Sequence, residues 1–94
     1  MELFDWDEAN VDHLALHGIA PEEAEQVVEG EPYVLGVELR NGELRRRELG
    51  ATLDGRILVI VTIARGYKIR VVTGWPPDKG LRGLWQKIQE EAKR

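Results

Sequence analysis

The chain has 94 residues, 43% of them hydrophobic and 32% charged, with no cysteine and a net charge of −4. Such a length holds one domain, residues 1–94, around one modest core, and the composition excludes a disordered chain while the missing thiols exclude disulfides, thiolate metal sites and cysteine catalysis. All thirteen Lys and Arg lie at or after Arg40 and eleven of seventeen acids lie before it, so residues 1–39 carry −11 and residues 40–94 carry +7.

Asp5, Asp7 and Glu8 suit the first turn of a helix, where carboxylates meet the positive end of the dipole. Val11, Leu14 and Ala15 follow at helical spacing, and His17-Gly18 reads as the stop. Ala20-Pro21-Glu22-Glu23 opens a second helix with proline in the tolerated first turn, Ala24, Val27 and Val28 form its apolar stripe, and Gly30 ends it. The pattern then turns to strands. Tyr33–Arg40 and Glu43–Leu53 flank Asn41-Gly42, a two-residue hairpin signal. Asp54-Gly55 leads to Arg56–Ala64, and Arg65-Gly66 to Tyr67–Trp75. Ile57–Ile63 does not alternate, so it is expected at the centre of the sheet, covered on both faces. Pro76-Pro77 ends the sheet, and Asp78 can cap a last helix carrying Leu81, Leu84, Trp85, Ile88 and Ala92 on one stripe. The fold class expected is α+β: two N-terminal helices, a four-stranded antiparallel meander and a C-terminal helix.

No apolar stretch approaches the roughly 20 residues of a membrane span. The opening Met1-Glu2-Leu3-Phe4-Asp5 lacks the charge and apolar run of a signal peptide, so a cytoplasmic address is expected. His13 and His17 stand four apart on one helical face, with Asp12 or Glu8 as a third group, a spacing that suits zinc. A histidine before a helix-ending glycine is more simply a terminus residue, and no metal is expected. The acids Glu22, Glu23, Glu25, Glu29 and Glu31 read as a solvated helix face; the alternatives are a surface that restricts nucleic acid to the opposite side or one that recruits a basic partner.

The order of elements, with Phe4-Asp5-Trp6-Asp7-Glu8-Ala9-Asn10, His17-Gly18-Ile19, Arg45 five residues before Gly50, Gly55-Arg56-Ile57-Leu58, Arg70-Val71-Val72-Thr73 and Arg82, resembles the BrnT family. These are toxins of type II toxin–antitoxin pairs in the RelE/ParE-like fold group. The resemblance covers nearly the whole chain. It departs from the family pattern at Trp75, where an arginine is usual, at Leu81, where a glutamate is usual, and at Leu16, where a lysine is usual.

The resemblance implies a metal-independent endoribonuclease that acts on RNA without a cofactor and is neutralised by a small antitoxin laid over the cationic sheet face and last helix. A homodimer or a hetero-oligomer with the antitoxin is compatible with it. The alternative is a non-catalytic binding or assembly module that kept the RelE-like fold and lost the site. Cleavage needs a base for the ribose 2′-OH, cations on the phosphate and an acid for the leaving oxygen. Guanidinium groups suit the second task, because their fork takes two phosphate oxygens at once. The resemblance nominates Arg45, Arg70 and Arg82 as catalytic, with Arg47, Lys68 and Lys79 as RNA contacts. Alternation places Arg45 and Arg47 on one face and Arg46 on the other, and separates Lys68 and Arg70 from Tyr67, Ile69 and Val71. A groove exists only if the faces of Arg45 and Arg70 coincide; otherwise Glu43 and Glu48 pair the arginines on an ordinary solvated face. Proton transfer is left to Lys68, Tyr67 or Asp78. Trp6 is expected to anchor the first helix to the sheet, Trp85 to pack in the core, and Trp75 to pack on the prolines. Arg70→Ala is expected to remove activity and leave the fold intact.

Overall fold

A computed structural model describes residues 2–93. Along the chain run α1 (Glu8–Ala15), α2 (Pro21–Glu29), β1 (Tyr33–Arg40), β2 (Glu43–Ala51), β3 (Ile57–Arg65), β4 (Lys68–Trp75) and α3 (Lys79–Ala92). The strands form one antiparallel sheet in the order β1-β2-β3-β4, the meander that the turn signals predict. Asn41 and Gly42 both have positive φ (51° and 79°), as a two-residue hairpin turn requires. The third turn is Gly66-Tyr67, one residue later than expected, with only Gly66 at positive φ. At the second turn the chain closes a wider loop, in which the Thr52 N–H donates to the Arg56 carbonyl at 2.8 Å.

Helices α1 and α2 lie on one face of the sheet, which we call the helix face. Leu14, Ile19, Ala24 and Val27 pack there on Leu58, Ile60 and Val71 in a buried cluster that also holds Phe4. Gly50 and Gly74 permit this approach: a Cβ on Gly50 would sit 3.0 Å from Val27, and one on Gly74 would sit 2.8 Å from Ile60. Strand β3 is buried from Leu58 to Ile63, so both its faces are covered, as its unbroken apolar run requires. Leu49 and Val59 belong to the opposite face, outside the cluster under α1 and α2, and α3 packs against β2.

The amino-terminal segment adds something that no periodicity announces. Phe4 pairs with Ile69 in parallel along the outer edge of β4, the Asp5 N–H donating to the Ile69 carbonyl and the Ile69 N–H to the Leu3 carbonyl, both at 2.9 Å. Asn10 fastens this segment from below. Its amide donates to the carbonyls of Asp5 (2.9 Å) and Val71 (3.0 Å), and its carbonyl oxygen accepts the Asp7 N–H at 2.8 Å. Asp7 is the N-cap of α1, so one buried amide joins cap, edge segment and sheet. Trp6 packs against the cluster that joins α1 to the sheet, its ring near Phe4, and its indole N–H also donates to Glu25 of α2 at 2.7 Å. Arg56 ties the α1–α2 corner, with Nη1 donating to the Gly18 carbonyl (2.8 Å) and to both Glu23 oxygens (3.0 Å each).

Helix α3 departs from its reading. Asp78 caps it, accepting the Leu81 N–H at 2.9 Å. Yet none of its residues is buried: Leu81, Leu84, Trp85 and Ile88 are half-buried and Ala92 is exposed. Trp85 therefore lies at the edge of the hydrophobic interior, not in it.

Candidate nucleic-acid interface

Register decides which arginines share a face. Arg45 pairs with Ile63, and Ile63 with Arg70. Directly opposed residues project to the same side, so Arg45 and Arg70 coincide in face, their Cα atoms about 10 Å apart across one intervening strand. The same alternation adds Glu38 and Arg40 of β1, Arg47 of β2, Arg65 of β3 and Lys68 of β4. This is the arginine face.

A β-bulge recruits two further residues. Thr62 pairs with Val71 but Val61 pairs with Thr73, leaving Val72 as the extra residue. Past the bulge the parity of β4 reverses, which turns Thr73 and Trp75 onto the arginine face and Gly74 onto the helix face. Simple alternation along Tyr67–Trp75 would put Trp75 with the buried apolar set. Glu38 was also missed, although the Asn41-Gly42 turn implies its position: a two-residue hairpin sets Arg45 opposite Glu38.

These residues enclose a hollow of about 250 Å³ between β1 and β4, lined by Glu38, Arg40, Arg45, Arg47, Val61, Thr73 and Trp75. Its charges are not self-cancelling. Glu38 is engaged by Arg40, Nε to Oε1 at 3.1 Å. Glu43 pairs with Arg65 at 3.3 Å and Glu48 with Arg46 at 3.2 Å, so neither carboxylate neutralises Arg45 or Arg47. Among the described residues no ion pair involves either arginine. Arg45 Nε is buried without a hydrogen-bond partner, a donor that costs stability until an acceptor arrives. Gly36 shapes the β1 wall: a Cβ there would stand 3.0 Å from Arg47 Nη2, so the bare backbone is what admits that guanidinium.

The other nominated residues are elsewhere. Arg70 shares the face but not the hollow; its side chain, 16% exposed, turns to the sheet edge, where Nη1 lies 3.0 Å from Asp7 and 3.6 Å from Asp5. The guanidinium hydrogen-bonded to Asp7 holds that carboxyl below the ordinary aspartate range, and Asp7 in turn raises the Arg70 pKa. Lys68 is half-buried beyond Arg70, while Lys79 and Arg82 are exposed on α3 and do not line the hollow. Tyr67 is exposed in the third turn, and Asp78 is committed to its cap. His13 and His17 stack with ring centroids 6.4 Å apart, and the described residues contain no cluster of three groups able to hold a metal ion. No helix among them is long and apolar enough to cross a membrane.

The arrangement can grip a phosphodiester with two unneutralised guanidiniums, offer one carboxylate as a proton acceptor, and present an indole as a stacking platform. A search of curated proteins found no match. Residues 6–74 match the family model described as the ribonuclease toxin BrnT of type II toxin–antitoxin systems, a span that includes Glu38, Arg45, Arg47, Arg70 and Thr73 and stops just before Trp75 and α3.

Proposed function

The chain belongs to the BrnT family, ribonuclease toxins of type II toxin–antitoxin systems, and on that premise we propose that it is a metal-independent endoribonuclease of RelE-like build whose substrate phosphate sits in the hollow between β1 and β4. The observation that carries this reading is the pair Arg45 and Arg47, two cations without carboxylate partners, one of them with a buried unsatisfied Nε, beside Trp75. Arg45 and Arg47 take the non-bridging phosphate oxygens. Glu38 removes the proton from the ribose 2′-OH, whose oxygen attacks phosphorus. The P–O5′ bond breaks as the cyclic 2′,3′-phosphate forms, and the departing O5′ takes a proton from solvent water. Trp75 stacks a neighbouring base, a contact worth about 1–3 kcal/mol. A donor set of three guanidiniums and one carboxylate repels a divalent cation, so charge stabilisation falls to the arginines.

In this scheme Arg70 is a positioning residue, acting through Asp5 and Asp7 on the β4 edge. Arg82, Lys79 and Lys68 contact the flanking RNA backbone. The antitoxin neutralises the protein by covering the arginine face together with the half-exposed stripe of α3, where Leu84 and Ile88 line a hollow of about 330 Å³.

The decisive experiment is cleavage of single-stranded RNA by antitoxin-free protein in EDTA. Cleavage should persist with the chelator. Arg45→Ala and Arg47→Ala should each lower the rate at least ~100-fold, on the scale of a lost transition-state donor. Glu38→Gln should lower the cleavage rate at least ~100-fold while leaving RNA binding in place, as loss of a general base does. A chelator-sensitive cleavage, or full activity in the Arg45→Ala and Arg47→Ala double variant, would overturn the reading; folded wild-type protein without any cleavage would favour a binding module that has lost its site.

A further inference from the structure

The helix face is covered only in part. Past the reach of α1 and α2, toward the Asn41-Gly42 and Gly66-Tyr67 turns, it exposes Val37 (59%), Leu39 (69%) and Leu44 (62%), with Ala64 beside them. Leu39 and Leu44 are opposed across the hairpin and Val37 is opposed to Arg46, so these side chains form one continuous apolar strip. Exposed apolar groups scattered singly need no explanation, but a contiguous strip rimmed by charge marks a contact surface.

The strip has a polar floor. Val37, Leu44, Arg46, Glu48, Thr62 and Ala64 line a hollow of about 330 Å³. Glu48 is 4% exposed. Its Oε1 forms an ion pair with Arg46 Nε at 3.2 Å and accepts from Thr62 Oγ1 at 3.4 Å, while Oε2 is buried with no protein partner. A buried carboxylate oxygen without a donor is an expensive feature for an isolated chain to keep. Whatever covers the strip can supply the missing donor.

We propose that a second copy of this chain covers it, the two helix faces meeting across a two-fold axis. The strip is complementary to itself. It carries the donor that Glu48 lacks, Arg46, two residues away on the same strand and the same face, with a side chain 54% exposed. A two-fold rotation brings Arg46 of each copy to Glu48 of the other, and Leu39 and Leu44 onto their counterparts, as an isologous interface demands. A partner of different sequence would need an arginine or lysine at a matched position; a second copy supplies it automatically. The arginine face stays free on both outer sides of such a dimer.

The test is sedimentation equilibrium of the antitoxin-free chain across the micromolar range. The wild type should pass from monomer to dimer with rising concentration. Leu44→Asp should stay monomeric with an unchanged circular-dichroism melt, and Arg46→Glu, placing like charge against Glu48, should raise the dimer Kd at least ~10-fold. Leu39→Asp serves as a second probe if Leu44→Asp misfolds. A wild type that stays monomeric throughout overturns the proposal, as does a dimer that Leu44→Asp leaves intact. Co-purification gives the rival outcome: a monomeric wild type whose Leu44→Asp variant loses the antitoxin assigns the strip to the antitoxin instead.

Discussion

Arg45 and Glu48 stand three residues apart on β2 and face opposite sides of the sheet, and each holds a buried polar atom without a partner. For Glu48 the consequence is a pH dependence. Burial pushes its carboxyl above the ordinary glutamate range, against the smaller opposing pull of Arg46 and the Thr62 hydroxyl. A carboxyl with a raised folded pKa contributes its full stability below the unfolded value and loses it as pH rises through the folded one. Glu48→Gln removes that loss, because the amide stays neutral and can still accept from Thr62. At pH 7.5, in dilute monomer, the variant should be more stable by about 1 kcal/mol, which raises the melting temperature by roughly 4–8 °C in a domain of this size. Below pH 4 the two proteins should melt together. Equal gains at both pH values would show that the charge is not what burdens the site. Alternation alone predicts that Glu48 shares a face with Arg46, but not its burial. Sequence marks the type and parity of a residue; only the tertiary packing around β2 decides which glutamate is shut from water.

The elements themselves were largely readable in the chain, and the failures have local physical causes. Helix stripes, caps and positive-φ turns are short-range signals, so α1, α2, the hairpin and the Asp78 cap follow from residue spacing. The Val72 bulge carries no such short-range signal, and it reverses the facing of Trp75. Asp5 and Asp7 illustrate the same limit. They read as first-turn acids, which Asp7 is in part, but they also hold Arg70 at the sheet edge. Arg70→Ala should therefore not leave the fold as untouched as the sequence suggests. It leaves two carboxylates facing each other at the head of α1. The melting temperature at pH 7 should fall by several degrees. Asp7 has a folded pKa below its ordinary value, so its contribution is present above that value and disappears as acid protonates it. Thermal melts at pH 7 and pH 2 would check this: the gap between variant and wild type should close in acid. At the other end, Gly83 faces open space inside α3 and has no positive φ. Gly83→Ala should stabilise that helix by about 0.5–1 kcal/mol, read as a higher urea midpoint.

At the scale of the whole molecule, the split between an acidic front and a basic back becomes a division between the two sides of one sheet. Helices α1 and α2, with six acids and no lysine or arginine, lie on the helix face, while Arg40, Arg45, Arg47, Arg65, Lys68 and Arg70 project from the other. The net charge of −4 therefore says little about what the arginine face meets. Three of those six cations are already paired: Arg40 with Glu38, Arg65 with Glu43, and Arg70 with Asp5 and Asp7. The remaining three, Arg45, Arg47 and Lys68, together with Lys79 and Arg82 of α3, are the ones able to displace counterions from RNA. Each phosphate neutralised on a single strand contributes about −0.7 to the slope of log K against log salt, so these five give a slope of about −3.5. Binding of a short single-stranded RNA with 2′-O-methyl riboses, which offers no 2′-OH to cleave, can be titrated against the wild type between low and physiological salt. Arg47→Ala should make that slope shallower by about 0.7. Arg65→Ala should barely change it, since Arg65 is already paired with Glu43. A slope steeper than about −4 would mean that RNA displaces the carboxylates and recruits the paired arginines as well. A slope near zero would leave the arginine face with a partner other than nucleic acid.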